Sequence, residues 1–312
     1  MSYTTKIKEE VLKISKEKSE TIAELSGYIR NNGYINNNLF HLTTENKLIA
    51  NKLIDLFKSI YEIDIKIEQK DNLNFSKNTL YLLTIEEKRD FILKDLGYFD
   101  ENNNYLEQPP QYIVGANEEI RAYLRGVFLC SGSINDPKTS RYHMELLINE
   151  PKEAVFVQKL LNIFELNVKL LTRDKGYMLY IKEAEKISDY IKILGASNAV
   201  LYFENIRIYR DQKNKANRLN NCEQANIDKI VQTATNQLEY IKIIEENLGE
   251  SLLDDKTKEA LEYRKKYPEA SLKELSEIIS LETNKAITKS GLNHRFRKIK
   301  ELAEKFIKNK EN

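Results

Sequence analysis

Cysteine is scarce in this chain of 312 residues, occurring only at Cys130 and Cys222, which is too few for a disulfide framework. No apolar run reaches membrane-spanning length and nothing resembles a signal peptide, so a soluble cytoplasmic protein without a membrane partner is expected. A glycine-rich phosphate loop is missing. His41 and His143 do not stand at a metal-ligand spacing, and no convincing nucleophile and base pattern occurs. The expectation is a chain without cofactor, metal or catalytic residues. A strong excess of one charge is also absent, the formal net charge being +1. That figure hides an asymmetry: residues 250–312 carry 15 Lys and Arg against 12 Asp and Glu, whereas residues 1–199 sum to −2. Attraction for a polyanion should concentrate at the C-terminal end.

What is present begins with residues 271–306. Ser271-Leu272-Lys273-Glu274 is an S-x-x-E capping box, followed by Leu272, Leu275, Ile278 and Ile279 at helical spacing. After a polar connection, Lys289 and Ser290 open a second helix. Leu292, Phe296, Ile299, Leu302, Ala303 and Phe306 share one stripe, and Asn293, His294, Arg297 and Lys298 project from the opposite side. Arg295 falls toward the apolar edge, which favours a phosphate contact or a structural pairing over base readout. From Lys289 to Lys310 there are eight basic residues against Glu301 and Glu304. A basic helix with one buried stripe suits the major groove, where Arg and Lys pair with guanine or phosphate and Asn with adenine. A solvated basic face that complements the helix dipole is the plainer alternative.

The preceding body repeats itself. Ala23 to Ile35 aligns with Ala122 to Ile134 at an offset of 99 residues, and each copy continues with strand, helix, strands and a closing helix. The order is αββαββα, twice. Glycine inside a helix costs about 1 kcal/mol relative to alanine. Gly27, with Ser26 beside it, and Gly126 therefore suggest two helices in close approach.

Leu25 to Gly33 and Leu124 to Gly132 resemble degenerate LAGLIDADG motifs, the paired helices of homing endonucleases. Combined with the helix-turn-helix, and with Thr5 to Leu12, Tyr123 to Asp136, Arg218 to Asn226 and Lys289 to Leu302, the whole chain resembles the WhiA family. The resemblance implies an α+β fold: a tandem-repeat, LAGLIDADG-like αββαββα body followed by an all-α helix-turn-helix domain. Residues 1–112 would hold an N-terminal helix and the first repeat, and 113–200 the second. A basic segment and linker helix would occupy 201–252, and the helix-turn-helix domain 253–312. Homing endonucleases carry an Asp at the eighth motif position to hold divalent cations. Here those positions are Asn32 and Ser131, neither of them charged. Asp136 is the nearest substitute, but its counterpart is Asn37, and a turn before Pro137 explains it better.

Between body and reader, Arg207, Arg210 and Lys213 are candidates for phosphate contact or for a solvated face. Asn220, Asn221 and Asn226 read as turn or capping residues. A helix from Glu223 to Leu248 follows, with Gly249 available to end it and an apolar stripe of Ile227, Ile230, Val231, Ala234, Leu238, Ile241 and Leu248 that reads as packing. Glu250 to Asp255 reads as an acidic hinge. The family resemblance implies a non-enzymatic, sequence-specific transcription regulator at promoter DNA on the nucleoid, linked to cell division, chromosome segregation and sporulation, with a possible protein partner at the body. An active or nicking endonuclease and a nucleoid-associated interaction scaffold are the alternatives.

Overall fold

The computed structural model describes residues 2–37, 39–71, 79–139, 141–247 and 253–311. The chain divides into two units, Met1–Arg210 and Asp211–Asn312. In the first, helix α1 (Tyr3–Val11) precedes α2 (Lys18–Asn32), β1 (Tyr34–Asn36), β2 (Leu39–Thr44), α3 (Lys47–Tyr61), β3 (Lys66–Asp71), β4 (Thr79–Ile85) and α4 (Arg89–Asp95). The same order returns as α5 (Asn117–Ser131), β5 (Gly132–Ile134), β6 (Met144–Ile148), α6 (Pro151–Ile163), β7 (Lys169–Arg173), β8 (Gly176–Ile181) and α7 (Ala184–Leu194). Each copy forms an antiparallel four-stranded sheet, in the orders β1-β2-β4-β3 and β5-β6-β8-β7. The expected αββαββα repeat is thus the observed one. Its short first strands, β1 and β5, follow directly on the motif helices.

Alternation fixes the sheet faces. Phe40 and Leu42 in β2, and Met144, Leu146 and Ile148 in β6, turn inward while their neighbours are more exposed. They meet the motif helices, whose Leu25, Ile29, Leu124, Val127 and Phe128 are buried. Between α2 and α5 the backbones touch. A Cβ on Gly27 would lie 2.3 Å from the Tyr123 carbonyl oxygen, and one on Gly126 would lie 2.0 Å from that of Glu24. Only glycine permits that approach, as the matching positions predict.

Ionic groups flank this helix pair. Arg30 donates through Nε to Glu153 at 3.0 Å, and through its amino groups to the carbonyls of Gly97 and Leu106. Elsewhere along the pair, Arg125 bridges Glu20 at 2.9 Å and Glu24 at 3.2 Å, and Lys16 also pairs with Glu24. Helix α1 packs on β5 and α5 of the second repeat. Thr4 exchanges hydrogen bonds with the Ile134 backbone, and Tyr3 donates its hydroxyl to the Ala199 carbonyl at 2.8 Å.

Helix α8 spans Ser197–Asn247 without interruption. The expected start at Glu223 is corrected: no Gly or Pro occurs between Ser197 and Asn247, and the intervening polar residues tolerate helix. Asn220, Asn221 and Asn226 are consequently exposed interior residues of α8, not turn or cap residues. The α8 N-terminus is capped from outside, the Glu10 carboxylate accepting from the Asn198 and Ala199 amides at 2.7 and 3.1 Å. Of the anticipated apolar stripe, Ala234 and Ile241 are buried, but Ile227, Ile230 and Val231 are exposed. Leu248, Gly249 and the hinge residues 250–252 lie outside the described residues.

The second unit continues with α9 (Asp255–Lys266), α10 (Leu272–Thr283) and α11 (Lys289–Glu311). Asp254 caps α9 by accepting from the Thr257 amide at 2.8 Å. The core joins Ile241 and Ile244 of α8 to Leu261, Leu275, Ile279, Leu292, Phe296, Ile299 and Ala303. Two residues of this core therefore come from the N-terminal side of residue 253. Among the described residues, no helix is long and apolar enough to cross a membrane.

Candidate nucleic-acid interface

The geometry of the reader starts at α10. The Glu274 amide donates to Ser271 Oγ at 3.2 Å, and the Ser271 amide donates to the Glu274 carboxylate at 2.7 Å, completing the capping box. The hydrogen bonds from Ser271, the backbone amide first, lower the pKa of the Glu274 carboxyl. The helix ends at Asn284 in the left-handed conformation. Ser280 then pins the turn by accepting from the Ile287 amide at 2.9 Å. Thr288 starts α11, its Oγ1 accepting from the Gly291 amide at 3.1 Å.

On α11, Leu292, Phe296, Ile299 and Ala303 are buried at the spacing that makes one stripe. Lys289, Ser290, Asn293, His294, Arg297 and Lys298 are exposed. Ser290, His294, Arg297 and Lys298 lie opposite the buried stripe, whereas Asn293, expected with them, stands on its flank, one residue after Leu292. Asn293 and Arg297 also line a cleft of ≈ 480 Å³ with Thr233, Asn236, Gln237 and Tyr240 of α8. Gln237 is 8% exposed and its Oε1 has no hydrogen-bond partner among the described residues. Arg295 is separate from this face: it donates to Glu259 at 2.7 Å and to the Lys256 carbonyl at 3.0 Å, tying α11 to α9. Of the two roles left open for Arg295, the structural pairing is present.

The basic segment at the start of α8 is largely engaged elsewhere. Arg207 pairs with Glu204 at 2.8 Å and Glu185 at 3.5 Å. Arg210 donates to the carbonyls of Pro137 and Thr139 and lies over the Tyr142 ring. Lys213 is exposed.

At the tails of the motif helices, Asn32 Oδ1 accepts from the Thr43 amide at 2.6 Å and Nδ2 donates to Thr43 Oγ1 at 3.3 Å. Ser131 donates back to the Val127 carbonyl at 3.3 Å. Both groups serve their own secondary structure. Asp136 accepts from the Lys138 amide in a turn, as expected, and from the Tyr202 hydroxyl. His41 meets Thr84 in one sheet, whereas His143 meets Glu145 beside the other. Among the described residues, no group of three His, Cys, Asp or Glu side chains gathers to hold a metal. A fixed cation does stand here. Lys8 donates to the Leu129 carbonyl at 3.0 Å, and burial lowers its pKa to about 8. Burial likewise pushes the neighbouring Cys130 thiol up to about 12.

Sequence reasoning missed Lys8 and the α8 residues beside α11, since each reaches its neighbours through tertiary packing. The isolated Lys8 carried no local signal. For α8, the buried period through Ala234, Ile241 and Ile244 was the available clue.

Three family models match in succession: the WhiA N-terminal LAGLIDADG-like domain over residues 18–98, the WhiA LAGLIDADG-like domain over 120–213, and the WhiA C-terminal HTH domain over 216–303. Among curated relatives, the probable cell division protein WhiA of Enterococcus faecalis is 40% identical over 312 residues, covering 98% of each chain. That of Bacillus cytotoxicus is 40% identical over 309 residues, covering 98% of this chain and 97% of its own. The crystal structure of full-length DUF199/WhiA from Thermatoga maritima superposes with a TM-score of 0.58 at 22% identity, covering 98% of both chains.

Proposed function

The chain belongs to the WhiA family, and from that premise we propose that it is a non-enzymatic, sequence-specific DNA-binding regulator of transcription, acting in cell division with chromosome segregation and, in sporulating species, sporulation. The observation that carries this reading is the α11 surface: one buried stripe, with Lys289, Ser290, Asn293, His294, Arg297 and Lys298 exposed along the rest. Lys289 and Ser290, at the helix start, contact phosphate. Asn293 and Arg297 read base edges, the amide suiting adenine and the guanidinium guanine. His294 and Lys298 face bases or the adjacent backbone. Arg295, held by Glu259, orients the helix and does not read sequence. Lys213 is the most available phosphate contact of the three basic candidates on α8, because Arg207 and Arg210 already hold carboxylate and carbonyl partners.

The body has lost its nuclease role in this reading. Its two former ligand positions bring an amide and a hydroxyl already bound to Thr43 and Val127, with the Lys8 ammonium nearby. Electrostatic repulsion of a divalent cation by Lys8 would compound the loss of carboxylates. The body of two sheets on a helix pair instead offers a surface for a protein partner.

Genome-wide occupancy of the wild-type chain and of the Asn293→Ala and Arg297→Ala variants tests the regulator. Sharp promoter peaks that flatten in both variants are expected. Diffuse wild-type occupancy assigns the chain to a nucleoid scaffold, and unchanged peaks in both variants remove those residues from readout. Incubation of wild-type protein with Mg²⁺ and supercoiled DNA should leave the DNA intact; cleavage would restore the endonuclease alternative.

A further inference from the structure

Arg264, in α9, is 1% exposed. Its Nη1 donates to the Ala270 and Tyr267 carbonyls at 2.6 and 3.3 Å, and its guanidinium lies 5.5 Å from the Phe296 ring centroid. Those contacts supply acceptors and a face, but no negative charge. Among the described residues no carboxylate pairs with it, and Nε has no hydrogen-bond partner. Burial alone lowers its pKa, with no opposing ion. A buried, uncompensated cation is costly, and its unused donor adds to the cost.

The surroundings point to what compensates it. Arg264 lines a cleft of ≈ 360 Å³ together with Lys229 of α8, Lys273 in the first turn of α10 and Lys289 at the start of α11. Ile230, Ala270 and Leu272 provide apolar wall, and none of the lining residues is acidic. Lys229 and Lys289 are exposed without an ion-pair partner among the described residues, and Lys273 meets Glu277 at 3.9 Å and feels the Glu274 charge at longer range. Glu274, close by in sequence, is turned toward the Ser271 amide. Three exposed lysines alone would be an ordinary solvated face. Their convergence on a buried guanidinium short of acceptors is a different arrangement, because water does not hydrate that group.

We propose that this cleft is an anion site for a phosphate group, with Arg264 as the buried donor and Lys229, Lys273 and Lys289 as its cationic rim. Guanidinium and ammonium groups match the charge and the several acceptor oxygens of phosphate. Two sources share that chemistry. A backbone phosphate of DNA would fix the register of α11 through its first turn without reading sequence, and this arm rests on the function proposed above. A free phosphate, alone or carried by a metabolite, would occupy the site whether or not the chain binds DNA.

The test uses the full chain labelled with ¹⁵N, following the arginine Nε–Hε resonances, with that of Arg264 assigned by its loss in Arg264→Lys. Inorganic phosphate is titrated at constant ionic strength, and then a duplex from a bound promoter. Saturable movement of the Arg264 resonance with phosphate assigns a free ligand; movement with the duplex alone assigns the DNA backbone. Lys229→Gln/Lys273→Gln changes only exposed side chains, so it keeps the test open if Arg264→Lys fails to fold. That variant should weaken phosphate binding at least tenfold or reduce the salt slope of duplex binding by about one. A resonance unmoved by either ligand overturns the proposal, as does a double variant with unchanged phosphate affinity and salt slope. Duplex binding with a static Arg264 resonance would sink the site and spare the DNA reading, whereas a response to phosphate without duplex binding would do the reverse.

Discussion

Replacing Gly126 with alanine tests the packing on which the body depends. The added methyl would lie 2.0 Å from the Glu24 carbonyl oxygen and 2.8 Å from the Tyr28 amide nitrogen. Both are backbone atoms of α2, so no flexible side chain can swing aside. Reaching even a 3.0 Å contact moves the helices apart locally by roughly 1 Å. A gap of ~0.5–1 Å forfeits about a quarter to a half of each dispersion contact it opens. Overpacking costs about 1–3 kcal/mol, and more where backbone must shift. The propensity gain from Gly to Ala returns about 1 kcal/mol. A net loss of about 2 kcal/mol, lowering Tm by roughly 4–8 °C for a unit of this size, is expected. Gly291→Ala is the matched control: its methyl meets only Thr288 Oγ1, at 3.4 Å, so the same substitution should be neutral or stabilise by up to about 1 kcal/mol. Scanning calorimetry and urea denaturation followed by circular dichroism measure both. Gly126→Ala melting at or above the wild type would refute the backbone contact.

Three further perturbations address separate features. Glu153→Ala leaves the Arg30 guanidinium buried without its carboxylate and should cost about 3–5 kcal/mol in urea denaturation; a loss below about 1 kcal/mol would contradict the pairing. The folded pKa of Lys8 is lowered to about 8 from 10.5, so between those pH values the unfolded chain binds the extra proton and stability rises with pH. The stability of wild type relative to Lys8→Met should therefore improve from pH 8 to 10.5, and a flat difference would count against the burial. Ser271→Ala removes the acceptor for the Glu274 amide and should destabilise the second unit by about 1 kcal/mol, read as a lower melting transition.

The parts legible in the sequence were those whose cause is local or repeated. Ser271 and Glu274 announce their hydrogen bonds at a separation of three residues, and alternating Met144, Leu146 and Ile148 announce a strand face. Gly27 and Gly126 were informative because the same exception to helix propensity occurred twice. Nothing local says that α1 belongs with β5, since Thr4 and Ile134 are 130 residues apart. Helix α8 was underestimated because its asparagines suggest breaks that neighbouring helix formers override. The exposed α11 residues followed from the wheel, but the cleft that Asn293 and Arg297 share with Gln237 depends on tertiary packing. Arg264 offered no pattern at all: its significance lies in the carboxylate that folding does not bring to it.

The placement of α1 also bears on how the chain is made. Its first residues leave the ribosome long before their partners, since Tyr3 bonds a carbonyl 196 positions later and Glu10 caps a helix 188 positions later. At ~5–20 residues per second, about 10–40 s of translation separate the two ends of that clasp. Until α5 and β5 follow, the apolar side of this nine-residue segment has no native home, and its hydrogen bonds to the start of α8 close later still.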